Sequence, residues 1–296
     1  MIINIFFLIG IITNVNTEEQ TFCSTCIKHE IDNTCYNVTY LFDINSTIFK
    51  NNIVINKLGI LKSNTLFFNF EPPIEHPEYS QIGFINLTQA EGANEPVYPV
   101  ALSGGKQKLN FGPFDLDQDN NLVYIGGSDG IYVLDTNVNR VTPFSSIGDK
   151  VISIFYRGNL YFIRDREFKI IRKSGDNFDI LVDFMPVYNF VINKYNVIVF
   201  LGRDGLFAID RKEIVRLSVN RFFRGLVIDG DNNVYAWWLD EIYRVVFKPK
   251  FTESVLEKVL QVPNIGAMTF DSNNNIVITI ENSVHRLSKM SNGTIC

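Results

Sequence analysis

Phe114-Asp-Leu-Asp-Gln-Asp-Asn-Asn-Leu-Val-Tyr124 reads as one β-hairpin, two apolar strands joined by a run of Asp and Asn. Asp and Asn close tight turns with their own side chains and tolerate left-handed backbone, so such a run between apolar stretches marks the bend. The same pattern returns at Val191-Ile-Asn-Lys-Tyr-Asn-Val-Ile-Val199, Leu226-Val-Ile-Asp-Gly-Asp-Asn-Asn-Val-Tyr235 and Met268-Thr-Phe-Asp-Ser-Asn-Asn-Asn-Ile-Val277. Weaker copies run from Gly59 to Phe68 around Lys62-Ser-Asn64 and from Ile154 to Phe162 around Gly158-Asn159. The first apolar residues after the turns are Leu66, Leu122, Leu160, Val197, Val234 and Ile276, spaced by 56, 38, 37, 37 and 42 residues. A period near 40 built of short strands is that of a propeller blade, which buries its faces only when neighbours stack on it. The expectation is an all-β, six-bladed β-propeller. Third strands are expected to open at Gly130-Ile-Tyr132, Gly205-Leu-Phe207, Glu241-Ile-Tyr243 and Ser283-Val-His285.

Composition agrees with one globular body: 46% hydrophobic, 13% aromatic and 20% charged residues do not describe a disordered chain. The net charge of −5 argues against a general binder of nucleic acid, whose affinity comes from Lys and Arg neutralising phosphates. Residues 1–17 read as a signal peptide. Ile2 to Ile12 is apolar apart from Asn4, too short to span a bilayer, and gives way to polar Thr13–Thr17 and Glu18-Glu19. No later segment is long enough for a membrane span, so 18–296 is expected to be one secreted domain with a Cys-rich segment at 18–47. Asn37, Asn45, Asn86 and Asn292 head glycosylation acceptor sequences, in keeping with that compartment.

All four cysteines lie near the ends: Cys23, Cys26, Cys35 and Cys296. In an oxidising compartment they imply two disulfides, and position favours one between the N-terminal cluster and Cys296. The reason is closure: after three strands of the last blade too little chain remains for a fourth, so Tyr36–Phe42 or Ile48–Ile55 is expected to supply it. Zinc at Cys23-x-x-Cys26 is the rival reading, with no second Cys/His pair to complete a site.

The Asp115, Asp117, Asp119, Asn121 run is spaced like the ligands of a calcium loop. It lacks the sixth-position glycine and twelfth-position glutamate of such loops, and turn capping is the preferred reading.

The Phe114-Asp-Leu-Asp unit with Leu122-Val-Tyr-Ile-Gly-Gly-Ser-Asp-Gly-Ile-Tyr132, the Gly225-Leu-Val-Ile-Asp unit with Asn233-Val-Tyr235, and the closing Phe270-Asp-Ser-Asn-Asn-Asn-Ile and Val284-x-Arg-Leu287 together resemble the ommochrome-binding proteins of insect haemolymph. The resemblance spans Gly59 to Cys296. It implies a secreted, non-enzymatic carrier of planar, acidic, tryptophan-derived pigments, with no cofactor.

A pocket for such a ligand needs aromatic faces, Arg forks and a water-excluding concavity. Loops before the inner strands and after the second strands share one end of a propeller. The candidates there are Arg221, Phe223, Arg224, Trp237 and Trp238 in the fifth unit, then Arg164, Tyr188, Phe200, Arg203 and Ser128. Taken singly, an aromatic in a propeller strand is more often packing between blades, and an exposed Arg is more often merely solvated. Two other classes share the architecture, calcium-dependent hydrolases of the lactonase and strictosidine-synthase type and protein-binding propellers. The inner-strand starts at Gly112-Pro113, Val151, Tyr188, Arg224 and Gly266 carry no acidic ring, and His29, His76 and His285 are scattered, so no catalytic constellation is legible.

Overall fold

The computed structural model describes residues 26–28, 35–44, 54–71, 81–91, 100–101 and 111–290, with the backbone alone at 26–28, 71 and 100–101. They form six antiparallel sheets, five of four strands and one of five. From the innermost strand outward, blade 1 is Val54–Ile60, Thr65–Glu71, Gln81–Asn86 and Val100–Ala101. Blade 2 is Phe111–Asp117, Leu122–Gly127, Gly130–Asp135 and Arg140–Ser145; blade 3 is Val151–Arg157, Asn159–Arg164, Ile170–Ser174 and Asn177–Val182. Blade 4 is Val187–Ile192, Ile198–Gly202, Gly205–Asp210 and Glu213–Ser218, and blade 5 is Gly225–Ile228, Val234–Trp238, Glu241–Val246 and Val255–Gln261. The chain is a six-bladed β-propeller.

The second strands explain why the repeat needs neighbours. Leu160, Tyr161, Phe162 and Ile163 run without a polar break, because alternate side chains leave opposite faces and both faces are covered. Leu160 and Phe162 pack towards blade 2, Tyr161 and Ile163 towards blade 4. Likewise Ile198 and Phe200 face blade 3 while Val199 and Leu201 face blade 5. Each of the six junctions between blades holds one apolar cluster.

Blade 6 is closed by the N-terminal segment. Its own strands are Ile265–Phe270, Ile276–Ile280 and Ser283–Lys289; Cys35–Asp43 pairs antiparallel with the last of these and Cys26–Lys28 flanks it. Val38 sits opposite Leu287 and Thr39 opposite Arg286, and a bulge between Tyr40 and Phe42 turns Leu41 and Phe42 into the junction with blade 1. Of the two candidate closing strands, Tyr36–Phe42 is the one used. Ile55 instead belongs to the innermost strand of blade 1, and 45–53 lies outside the described residues.

Cys35 is buried with a free thiol, so the expected disulfide framework does not include it. The backbone N–H of Met290 donates to its carbonyl at 2.9 Å, so strand pairing joins the N-terminal segment to the last blade at this position. Residues 1–17, Cys23, the Cys26 side chain, Cys296, Asn45, Asn292 and the Pro-rich stretch at 72–77 lie outside the described residues, as does His29. Asn37 and Asn86 are both exposed. No helix among the described residues is long and apolar enough to cross a membrane.

The repeated Asp/Asn run is a clasp. Asp229 Oδ1 accepts from the N–H groups of Asp231 and Asn233 at 2.9 and 2.8 Å, and Oδ2 accepts from Asn233 Nδ2 at 2.8 Å. Asp271 makes the same set with Asn273 and Asn275, and Asn193 caps Tyr195 and Val197. One residue of each turn is left-handed: Asn64, Asn121, Asn196, Asn232 and Asn274, with φ between 55° and 67°, and Gly158 in blade 3. The turns also hold hands: Asn232 Oδ1 accepts from Lys194 N–H in blade 4 at 3.0 Å, and Asn274 Oδ1 accepts from Gly230 N–H in blade 5 at 2.8 Å. The four oxygens with calcium-like spacing do not converge. Asp117 caps its own turn, Asp119 bonds Lys62 Nζ at 2.8 Å, and Asp115 accepts from Tyr156 N–H across a blade junction.

Burial opposes the charge of Asp117, but hydrogen bonds from the Asn120 and Tyr156 side chains and from two backbone N–H groups outweigh it and hold the carboxyl below its usual range. A depressed folded-state pKa contributes stability that is complete above the unfolded value, about 3.9, and disappears as pH falls through the folded value. Asp117→Asn is expected to lower the melting temperature at pH 7 and to flatten its fall below about pH 4. Melting followed by circular dichroism from pH 7 to 2 tests this. Parallel curves for the two proteins would contradict it.

Candidate functional site

The innermost strands surround a cavity of about 490 Å³ on the propeller axis, and all six contribute to its wall. Every inner strand starts at the same end, beside the end of its second strand, and finishes at an Asp/Asn turn. At the starting end the wall includes Tyr188, Arg224 and Trp237. The backbone of Arg224 donates to the Trp237 carbonyl at 2.9 Å, and its guanidinium donates to the Ile265 carbonyl of blade 6 at 2.8 Å. Trp237 lies against Gly225, where any Cβ would run into the six-membered ring; glycine is therefore what lets the indole reach the channel. Its Nε1 donates to the Gly266 carbonyl at 3.3 Å. Tyr188 is 44% exposed and meets Phe168 edge-on, with ring centroids 5.4 Å apart.

Deeper in, the wall carries a cation and an anion from adjacent blades, Lys57 and Asp115. The Lys57 ammonium lies over the Phe114 ring, 5.4 Å from its centroid. Burial pushes its pKa down and the charge of Asp115 restores part of it. For Asp115, burial pushes the pKa up, against the Lys57 charge and the N–H groups of Tyr156 and Leu116. Tyr156 Nα approaches Asp115 Oδ2 at 2.7 Å. Both groups are thus pulled towards neutrality by the same lack of water, and each charge favours the other. Tyr156 stacks on Tyr124 at 4.8 Å, and burial first, then the hydrogen bond to Asp117, raises its hydroxyl pKa to about 12. It remains protonated and serves as a donor. Asn56, Asn69, Asn189, Ser153 and Thr269 supply neutral polar groups, and Phe155, Phe190 and Phe270 supply apolar wall.

The ten residues marked by sequence divide. Arg224, Trp237 and Tyr188 line the cavity. Phe223 does not: it is 7% exposed, packed edge-on against Tyr243 in the junction of blades 4 and 5. Phe200 is 0% exposed and stacks on Phe207 between blades 3 and 4. Both follow the strand alternation into the core, the commoner fate of a propeller aromatic. Arg164 is held by Asp149 at 3.0 Å and Glu167 at 3.3 Å, over the Phe162 and Phe178 rings. Arg221 lies over the Phe222 ring, and Arg203 and Ser128 are exposed in turns away from the cavity wall. Trp238, next to Trp237, points the other way and is 38% exposed outside the cavity wall.

Sequence reasoning passed over Lys57 and named Asp115 only as a turn residue. The signal was a charge inside an apolar inner strand, Val54-Ile-Asn-Lys-Leu-Gly-Ile60, and an Asp two positions before the turn-capping Asp117, where blades 4, 5 and 6 carry Val191, Val227 and Thr269. His285 stands in a third strand, edge-on to Tyr40 at 5.7 Å, with its pKa lowered by burial against the opposing charge of Asp43. Among the described residues no three His, Cys, Asp or Glu gather as a metal site.

No family model matches the chain. It is 23% identical over 241 residues to an ommochrome-binding protein of Manduca sexta, a span covering 76% of this chain and 80% of that protein. Among solved structures it resembles a candidate gluconolactonase, with a TM-score of 0.56 at 8% identity over 86% of this chain and 92% of the other. A virginiamycin B lyase from Staphylococcus aureus with quinupristin gives a TM-score of 0.53 at 8% identity, over 86% of this chain and 100% of that one. The structural matches show a shared propeller architecture, and the sequence match makes the chain a distant relative of an ommochrome-binding protein.

Proposed function

We propose that the protein is a secreted carrier that binds a planar, acidic, tryptophan-derived pigment in the axial channel and performs no chemistry on it. The observation that carries this reading is the cavity itself. About 490 Å³ lies within the range of small-molecule sites, and its rim combines an indole, a phenol and an arginine. A flat ring system stacks on the first two, and its acidic group pairs with the third. The distant similarity to an ommochrome-binding protein supports the same ligand class. Asp115 is the one carboxylate among the described lining residues, a poor seat for a central calcium, which takes six to eight oxygens and favours several anionic ones. This favours a carrier over a calcium-dependent hydrolase. Residues 1–17 act as the secretion signal, and Asn37 and Asn86, both exposed, accept glycans.

Fluorescence tests the proposal. The chain has two tryptophans, so a Trp238→Phe variant leaves Trp237 as a reporter inside the channel wall. Titration with a xanthommatin-type pigment, corrected for inner-filter absorption, is expected to quench it saturably. Arg224→Ala in that background is expected to weaken binding about tenfold, the loss of one charge-assisted hydrogen bond. Linear, unsaturable quenching would overturn the carrier reading.

A further inference from the structure

We propose that Lys57 and Asp115 form a dipolar seat within the channel that takes the carboxylate and the ammonium of a single α-amino acid group borne by the ligand. The inference rests on the carrier reading and deepens it. Arg224 at the mouth accounts for an acidic group, but an acidic group alone does not call for a carboxylate farther down the same wall. Asp115 repels a simple anion, just as Lys57 repels a simple cation. A ligand group carrying both charges is attracted by both.

The geometry supports a seat rather than a closed ion pair. The two residues come from innermost strands that run side by side: a Cβ on Gly59 would meet the Leu116 and Phe114 side chains at 3.0 Å. Gln118 Nε2 donates to the Ile60 carbonyl at 2.8 Å across the same junction. Lys57 Nζ is held over the Phe114 ring, and Asp115 Oδ2 is held by the Tyr156 N–H, so each charge has its own support. The two act on each other through space. Both line the cavity, and both are only partly buried by its wall. Two partly desolvated charges that do not close an ion pair contribute little to folding, so their presence in a ligand-sized cavity points to recognition. Asn56, on the same strand as Lys57, and Ser153 on blade 3 add neutral hydrogen-bonding groups to that wall.

The test uses the full mature chain and three probes that share a flat bicyclic ring: 2-naphthylalanine, the amine lacking its carboxylate, and the acid lacking its ammonium. Calorimetric titration is expected to show the amino acid binding about tenfold tighter than either truncated probe. Lys57→Met is expected to erase the advantage over the amine and leave that over the acid. Asp115→Asn, which retains an acceptor for the Tyr156 N–H, is expected to do the reverse. Melting curves check that both variants are folded, and Lys57→Gln replaces Lys57→Met if the latter is not. If the pigment quenches Trp237 saturably but the amino acid probe has no advantage, or the variants leave the preferences unchanged, the seat is overturned and the carrier survives. If neither pigment nor probes bind, the carrier reading fails and the seat with it.

Discussion

Gly205→Ala is expected to remove about 3–5 kcal/mol of stability, enough to lower the melting temperature by roughly 10 °C. Gly205 opens the third strand of blade 4 after the turn from Gly202, with φ at +132°, a conformation that side chains other than glycine's rarely adopt. Space is lacking too. A Cβ would collide with the carbonyl oxygen of Ser218, which belongs to the paired fourth strand and cannot swing aside as a side chain would. The comparison is Gly175→Ala, at φ +58° with nothing within 4 Å of the added atom, where about 1 kcal/mol of backbone strain is all that is lost. Thermal unfolding of the two variants beside the parent checks this. Equal small shifts would mean that blade 4 relaxes around the collision.

Phe200→Ala is expected to cost about 3–5 kcal/mol while leaving pigment affinity unchanged. Phe200 is 0% exposed, stacked on Phe207 with centroids 5.5 Å apart and 15° between planes, and meets Phe184 at 6.4 Å. Truncation leaves a ring-sized void between blades 3 and 4 that rigid strands on either side cannot fill. Denaturant unfolding paired with the Trp237 titration separates the two effects. A variant with parental stability and lost binding would return Phe200 to the site and contradict its assignment to the junction.

Phe200, Phe223 and Trp238 show why the binding wall was only partly legible. All were aromatic, in the right blade and near the right end of a strand. What decides between channel, junction and solvent is the phase of each side chain along its strand, and the bulges alter that phase. Innermost strands slip register between Val187 and Asn189, between Phe111 and Phe114 and between Ile55 and Lys57. Where no bulge intervenes, plain alternation parts adjacent residues such as Trp237 and Trp238, one in the wall and one on the surface. Arg164 was similarly ambiguous, since one partner, Glu167, lies three residues on, while the other, Asp149, lies before the blade's first strand.

The repeat, by contrast, is a local property. Apolar runs, Asp/Asn clasps and a period near 40 residues determined, from sequence alone, that hairpins form where they do and that six of them must stack into a ring. Each clasp closes within five residues, as at Asp229 to Asn233, and needs no distant partner. The tertiary structure decided what depends on ring closure. It chose Cys35–Asp43 over the later segment as the outer strand of blade 6, since this strand matches Ser283–Lys289 and turns Leu41 and Phe42 into the last open junction. It brought Lys57 and Asp115, 58 residues apart, into one channel wall. The sequence marks each charge as an oddity within an apolar inner strand but not its meaning, which comes from sharing a cavity that exists only once all six inner strands surround the axis.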